Sequence, residues 1–283
     1  MTGHNSEGTS APLPASSGVP HQHAAPEANG LPMVTLDPRL GPGAVATDPI
    51  PDDARARVRE LGAQVIARYP RSRSALMPLL YLVQAEQGYV SPDGIKLVAE
   101  TLGLTTAEVA AVSTFYTMYK RRLCGDYHVG VCTNTLCAIL GGDAIFAALK
   151  EHLNVGNGGT TPDRAVTLEH IECNAACDYA PVVMVNWEFF DNQTIESAKE
   201  LVDRLRAGDL PVPTRGAPLR THTETSLVLA GFPDGLVGEG PSAGSASMVG
   251  VELAKKRKEQ APPTEPTKPP VPPESTGRAE GRS

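Results

Sequence analysis

Four cysteines stand in two close pairs, C-x4-C at Cys132-Thr133-Asn134-Thr135-Leu136-Cys137 and C-x3-C at Cys173-Asn174-Ala175-Ala176-Cys177. Paired thiols at such spacing either form disulfides or hold a metal. Disulfides suit small secreted domains. The N-terminus here has no basic segment followed by an apolar one, so no signal peptide is expected. A chain in the reducing cytoplasm uses such thiols as ligands. Structural zinc takes four cysteines in C-x2-4-C pairs. An iron–sulfur cluster also takes four thiolates, and ferredoxin loops include a C-x4-C step. Spacing alone leaves zinc and iron both open. A thioredoxin-type dithiol oxidoreductase is disfavoured because C-x-x-C is absent.

Those cysteines lie in the part of the chain able to fold. Most of the 26 prolines fall before Ile50 or after Leu210, leaving a foldable middle of roughly 160 residues, an ordinary domain size. The net charge of −7 argues against a general nucleic-acid binder. No apolar run reaches the length of a membrane span.

Residues 1–51 read as a disordered arm rich in Gly, Ser, Pro and Ala, with His4, His21 and His23 as isolated, inert side chains. From Asp52 the apolar spacing turns helical. Val58, Leu61, Val65 and Ile66 mark a first helix running to Tyr69 before Pro70. Ser74 is a candidate cap for a second, with Leu76, Leu79, Leu80 and Val83 inside and Gly88 closing it. Ser91-Pro92 opens a third that stops at Gly103. Thr105-Thr106-Ala107-Glu108 is a capping box for a fourth. Residues 52–120 thus form a small helical bundle, with Phe115, Tyr116 and Tyr119 expected in its core.

The period then changes. Tyr127, Val129 and Val131 alternate as a strand leading into Cys132. Gly141-Gly142 starts a helix through Leu153, and Val166, Leu168 and Ile171 alternate into Cys173. Val182–Val185 is a buried strand, Asn186 begins a turn, and Glu188–Asp191 returns as a hairpin. Thr194 caps a last helix that ends at Gly208. The order β-α-β-β-β-α over 121–209 places both cysteine pairs in loops past strand C-terminal ends, where α/β sheets carry ligands. Residues 210–283 read as a Pro/Gly-rich tail, with Ser226–Phe232 able to pack on a surface. The basic cluster Lys255–Lys258 reads as solvated, and the proline-rich stretch 261–273 as an extended spacer. Residues 1–45 and those after Ser242 are therefore expected to be dispensable for cluster binding.

Three stretches carry a family resemblance: Ser113–Tyr119, Cys132–Cys137 with Gly141-Gly142, and Glu172–Pro181. Together they resemble the E subunit (24-kDa-type) of NADH:quinone oxidoreductase, respiratory complex I. The resemblance implies an α+β fold, a helical bundle followed by a thioredoxin-like domain, with disordered tails. It implies one [2Fe–2S] cluster, one iron held by Cys132 and Cys137 and the other by Cys173 and Cys177. It also implies FMN and NADH on a partner subunit, a second partner in the large iron–sulfur subunit, and a place on the cytoplasmic face of the cell membrane through the complex. The same core occurs in NAD-linked hydrogenases and formate dehydrogenases. A zinc-stapled interaction module and a free-standing ferredoxin are the competing readings. The bundle disfavours the second. No GxGxxG follows a strand, so no nucleotide site is visible on this chain, and no catalytic residues are expected. Thioredoxin-like folds place a cis proline where Pro181 stands. Cys124 departs from the family pattern and is expected as a small buried residue at the sheet end away from the cluster.

Overall fold

A computed structural model describes residues 49–236, 238–242 and 244–260. The three N-terminal histidines and the proline-rich stretch 261–273 lie outside the described residues. Four helices come first: α1 (Asp52–Ile66), α2 (Leu76–Gln87), α3 (Pro92–Leu102) and α4 (Thr106–Phe115). Ser91 accepts a hydrogen bond from the Gly94 N–H at 2.9 Å. Thr105 and Glu108 form the expected reciprocal capping box. Gly88 and Gly103 close α2 and α3 with positive φ. Ser74 does not cap α2. A 3-10 turn over Ser72–Ala75 takes up the chain first, and Ala75 stands at the cap.

Helix α2 is apolar on nearly every side, the pattern of a helix enclosed by others. Leu79, Leu80, Leu82 and Val83 are completely or almost completely buried. They pack with Val58 and Val65 of α1 and Leu97 and Val98 of α3. Of the aromatic trio, only Tyr119 enters this core. Phe115 is 78% exposed and Tyr116 lies at the surface, because α4 ends at Phe115 and the chain turns extended there.

The second core is built on strands β1 (Tyr127–Cys132), β2 (Gly159–Thr160), β3 (Val166–Ile171), β4 (Val183–Val185) and β5 (Glu188–Phe190). Their spatial order is β2-β3-β1-β4-β5. The central pair β1–β3 is parallel and the other pairings are antiparallel. Between β1 and β2 lie α5 (Thr135–Ile139) and α6 (Gly142–Leu153), and α7 (Ile195–Ala207) follows β5. Alternation divides β1 by face. Val129 and Val131 join Ile145, Leu149, Val202 and Leu205 in the core, whereas His128 and Gly130 look the other way.

That other face carries a partly buried polar cluster. Glu169 bonds His128 Nε2 at 2.6 Å and pairs with Lys120. Burial alone would raise the Glu169 carboxyl, but His128 and Lys120 outweigh it and bring it down to about 2. Asn186, at φ 47° in the β4–β5 turn, accepts from the His128 N–H and donates to the Asp126 and Arg220 carbonyls.

The chain after α7 continues into the fold instead of leaving as a tail. Helix α8 (His222–Leu229) lies against α2, and α9 (Ser245–Gln260) follows. Sequence reading missed α8's capping box, Thr221 with Glu224, because Pro and Gly dominate the surrounding composition. The basic cluster sits exposed at the end of α9, which buries none of its residues.

His222 is 1% exposed, stacks on Trp187 at 5.8 Å, and neither ring nitrogen has a partner among the described residues. Burial, with His128 and Lys120 nearby, pushes its pKa down to about 3. The sign follows from linkage. The unfolded imidazole binds a proton near pH 6.5 and the folded one does not, so this contribution is complete above about pH 6.5 and declines toward pH 3. The expected loss approaches roughly 1.4 kcal/mol per pH unit in that window. Thermal melts at about pH 7.5, 6 and 5 should show a falling midpoint that His222→Phe flattens; an equally steep fall in the variant would assign the acid sensitivity elsewhere.

Candidate metal centre

The sheet register brings the cysteine pairs to one edge. Cys132 is the last residue of β1 and pairs with Ile171, the last of β3, so Cys173 leaves the adjacent parallel strand at the same end. The Cys132 N–H donates to the Val182 carbonyl at 3.1 Å, which ties that edge to the start of antiparallel β4. Cys177 opens a 3-10 turn, Cys177–Tyr179, just before it. The Ala180–Pro181 peptide that follows is cis, as expected.

Sequence reading placed both pairs in loops. The first pair instead spans a strand end and a short helix, because Asn134 caps α5 by accepting from the Thr135 N–H at 2.8 Å. Cys132 and Cys137 are both buried. Gly142 explains how the two backbones come so close. A Cβ there would sit 2.4 Å from the Cys132 carbonyl oxygen and 2.9 Å from that of Cys137, so no larger residue fits. Burial pushes the Cys137 thiol up to about 11; the Val182 backbone lowers it in part, and neighbouring Cys132 and Cys177 raise it further. Metal binding at this thiol therefore releases a proton near neutral pH.

Cys173 and Cys177 are exposed. Ala175, at φ 52°, turns the loop so that its N–H donates to Cys173 Sγ at 3.2 Å. Asn174 Nδ2 is buried with no partner among the described residues, a spare donor beside the second pair. Among the described residues, no three His, Cys, Asp or Glu side chains stand gathered around one metal position. The chain thus presents two thiol pairs at one sheet edge, with Cys132 and Cys177 both acting on Cys137. That donor set suits iron–sulfur chemistry: four soft ligands, with backbone and amide N–H groups able to bond sulfur.

Cys124 lies three residues before β1, at the opposite end of the sheet, 7% exposed. Burial raises its pKa to about 11, with only partial relief from Thr167. It is a poor nucleophile sealed away from the site. The helix carrying Cys137 also shows Leu136, Ile139 and Leu140 to solvent, with Ile139 76% exposed.

Comparison with known proteins places this architecture. Residues 62–206 match the thioredoxin-like [2Fe–2S] ferredoxin family. The E subunit of the NADH-quinone oxidoreductase of Mycobacterium tuberculosis is 60% identical over 215 residues, covering 76% of this chain and 85% of that protein. NADH-quinone oxidoreductase subunit 2 of Thermus thermophilus is 36% identical over 148 residues, covering 51% and 82% respectively. Among solved structures, a thioredoxin-like [2Fe–2S] ferredoxin from Aquifex aeolicus superposes with a TM-score of 0.27 at 24% identity, covering 31% of this chain and 87% of that one.

Proposed function

The chain belongs to the thioredoxin-like [2Fe–2S] ferredoxin family, as an electron-transfer E subunit of NADH-quinone oxidoreductase, and from that premise we propose that Cys132, Cys137, Cys173 and Cys177 hold its cluster. Cys132 and Cys137 bind one iron, and Cys173 and Cys177 the other. The observation that carries this assignment is the β1–β3 register, which delivers both cysteine pairs to one edge and Cys124 to the other. When bound, the cluster supplies a one-electron redox centre. The protein's own part is to fix the thiols, donate the Ala175 N–H to Cys173 sulfur, and limit water at the buried pair.

In the assembled enzyme this chain trades single electrons with the FMN of a neighbouring NADH-oxidising subunit and lies beside the large iron–sulfur subunit. The exposed Leu136, Ile139 and Leu140 next to Cys137 favour burial against such a partner. No helix among the described residues is long and apolar enough to cross a membrane. On this reading the chain sits at the cytoplasmic face of the cell membrane, held there through the complex. The expected result is that dithionite bleaches the isolated, cluster-loaded chain and produces a [2Fe–2S] EPR signal, whereas NADH does so only once the flavin-bearing subunit is added. Bleaching by NADH alone would place a nucleotide site on this chain and overturn the division of labour.

A further inference from the structure

The segment beyond the family-matched residues returns to the second cysteine loop and grips it from two sides. On one side, residues 214–216 extend the sheet past β5. The Phe189 N–H donates to the Arg215 carbonyl at 3.0 Å, and the Thr214 N–H donates to the Phe189 carbonyl at 2.8 Å. This sets the Arg215 guanidinium across the turn that begins at Cys177. Its Nη1 reaches both carboxylate oxygens of Asp178, at 3.1 and 3.0 Å, and its Nη2 reaches Asp191 at 2.6 Å. The same group lies 5.4 Å from the ring centre of Tyr179. The Arg215 side chain is only 15% exposed and that of Asp191 7%, so this fork is largely shielded from water.

On the other side, the start of α9 closes on the same two residues. Ser247 donates its hydroxyl to Asp178, and the Ala246 N–H donates to the Tyr179 hydroxyl at 3.3 Å. A Cβ at Gly244 would fall 2.3 Å from that hydroxyl, so the chain passes as close as glycine permits. The two sides are joined by the Gly216 N–H donating to the Pro241 carbonyl at 3.0 Å.

We propose that residues 214–216 and 244–247 act as a strap that holds the turn at the Cys177 end of the second cysteine loop, and that Arg215 is its positioning residue, fixing Cys177 through Asp178 and setting the charge beside the cluster. The redox part rests on the assignment of Cys177 as a ligand; the mechanical part does not. Cys173 and Cys177 are exposed, and the strap contacts fall on the turn that begins at Cys177. Reduction adds negative charge at the cluster, and a nearby guanidinium favours that state.

The test uses the full-length, cluster-loaded chain with Arg215→Gln, Arg215→Lys and Ser247→Ala. Hydrogen exchange of the peptide spanning Cys177 to Val182 is expected to speed up roughly tenfold in Arg215→Gln, as loss of a charge-assisted contact implies. Ser247→Ala, which leaves the fork intact and is the safer variant for folding, should give a smaller acceleration confined to the same peptide. The EPR-monitored midpoint potential should move negative in Arg215→Gln and stay nearer the parent in Arg215→Lys, which keeps the charge but not the fork. Unchanged exchange in both Arg215→Gln and Ser247→Ala would overturn the strap. Faster exchange with an unchanged potential would keep the strap and overturn the charge-setting role of Arg215. Cys177→Ser, measured alongside, separates these results from an error in the ligand assignment, because only that error would leave its spectrum intact.

Discussion

Serine at Cys132, Cys137, Cys173 or Cys177 is expected to abolish or markedly alter the visible absorption and the reduced EPR signal, while Cys124→Ser leaves both intact. On the proposed assignment each of the four is needed, because a [2Fe–2S] cluster takes four thiolates and the fifth, Cys124, lies at the other end of the sheet. A serine oxygen sometimes substitutes as a ligand, so an altered spectrum counts with a lost one. The first pair should show the larger effect. Cys132 and Cys137 are buried behind Gly142, where no water or neighbouring side chain can readily replace a missing thiolate, whereas the second pair is open to solvent. Cys124 differs in every respect, lying at the far end of the sheet, buried, with its thiol close to Thr167. Serine there exchanges a weakly polar sulfur for a buried hydroxyl, at a stability cost of about 1–2 kcal/mol. Loss of the cluster in Cys124→Ser together with its survival after replacing one of the four would reverse the assignment.

The candidate site could be proposed from the sequence because its parts are local. Two cysteine pairs, a glycine start at Gly141-Gly142 and alternating valines before Cys132 each announce themselves within a few residues. The helices were legible for the same reason, through caps such as Ser91 and Thr105 whose partners lie three residues away. What escaped depends on contacts between distant segments. Phe115 has the composition of a core residue, and only the end of α4 turns it outward. The importance of Asn186 comes from carbonyls at Asp126 and Arg220, far away along the chain on either side. Arg215 looks like one more charge in a proline-rich stretch until the chain folds back to bring Asp178 and Asp191 to it. Composition marked residues beyond 210 as poor in core-forming pattern. It could not show that a short, weakly apolar helix completes a core built by residues more than a hundred positions earlier.

Truncation separates those two views of the C-terminal segment, and it carries the second large effect. A chain ending at Ser242 loses the α9 side of the strap but keeps α8 and the Arg215 fork, and is expected to fold and bind its cluster, because α9 buries none of its residues. A chain ending at Leu210 is expected to lose much of its stability. It removes Leu227 and Phe232 from the bundle core and strips the fully buried Ser226 and the nearly fully buried Ala230 from the side of α2. It also breaks the bond from Gln84 Nε2 to the Ser226 hydroxyl, at 3.2 Å, on a glutamine side chain that is completely buried. At the sheet, His222 no longer donates its N–H to the Asp126 carbonyl, and Asn186 loses the Arg220 carbonyl. A fully buried large apolar side chain contributes roughly 1.5–3 kcal/mol, and a buried polar group left unpaired costs about 1–3 kcal/mol. Even with partial burial at Leu227 and Phe232 the sum is several kcal/mol, a large share of the roughly 5–15 kcal/mol that holds a domain folded. Denaturant melts of the two truncations should therefore differ sharply. The Ser242 form should stay near the parent midpoint, and the Leu210 form should melt far earlier or fail to accumulate. Equal midpoints for both would show that α8 only rests on the surface of a bundle already complete without it.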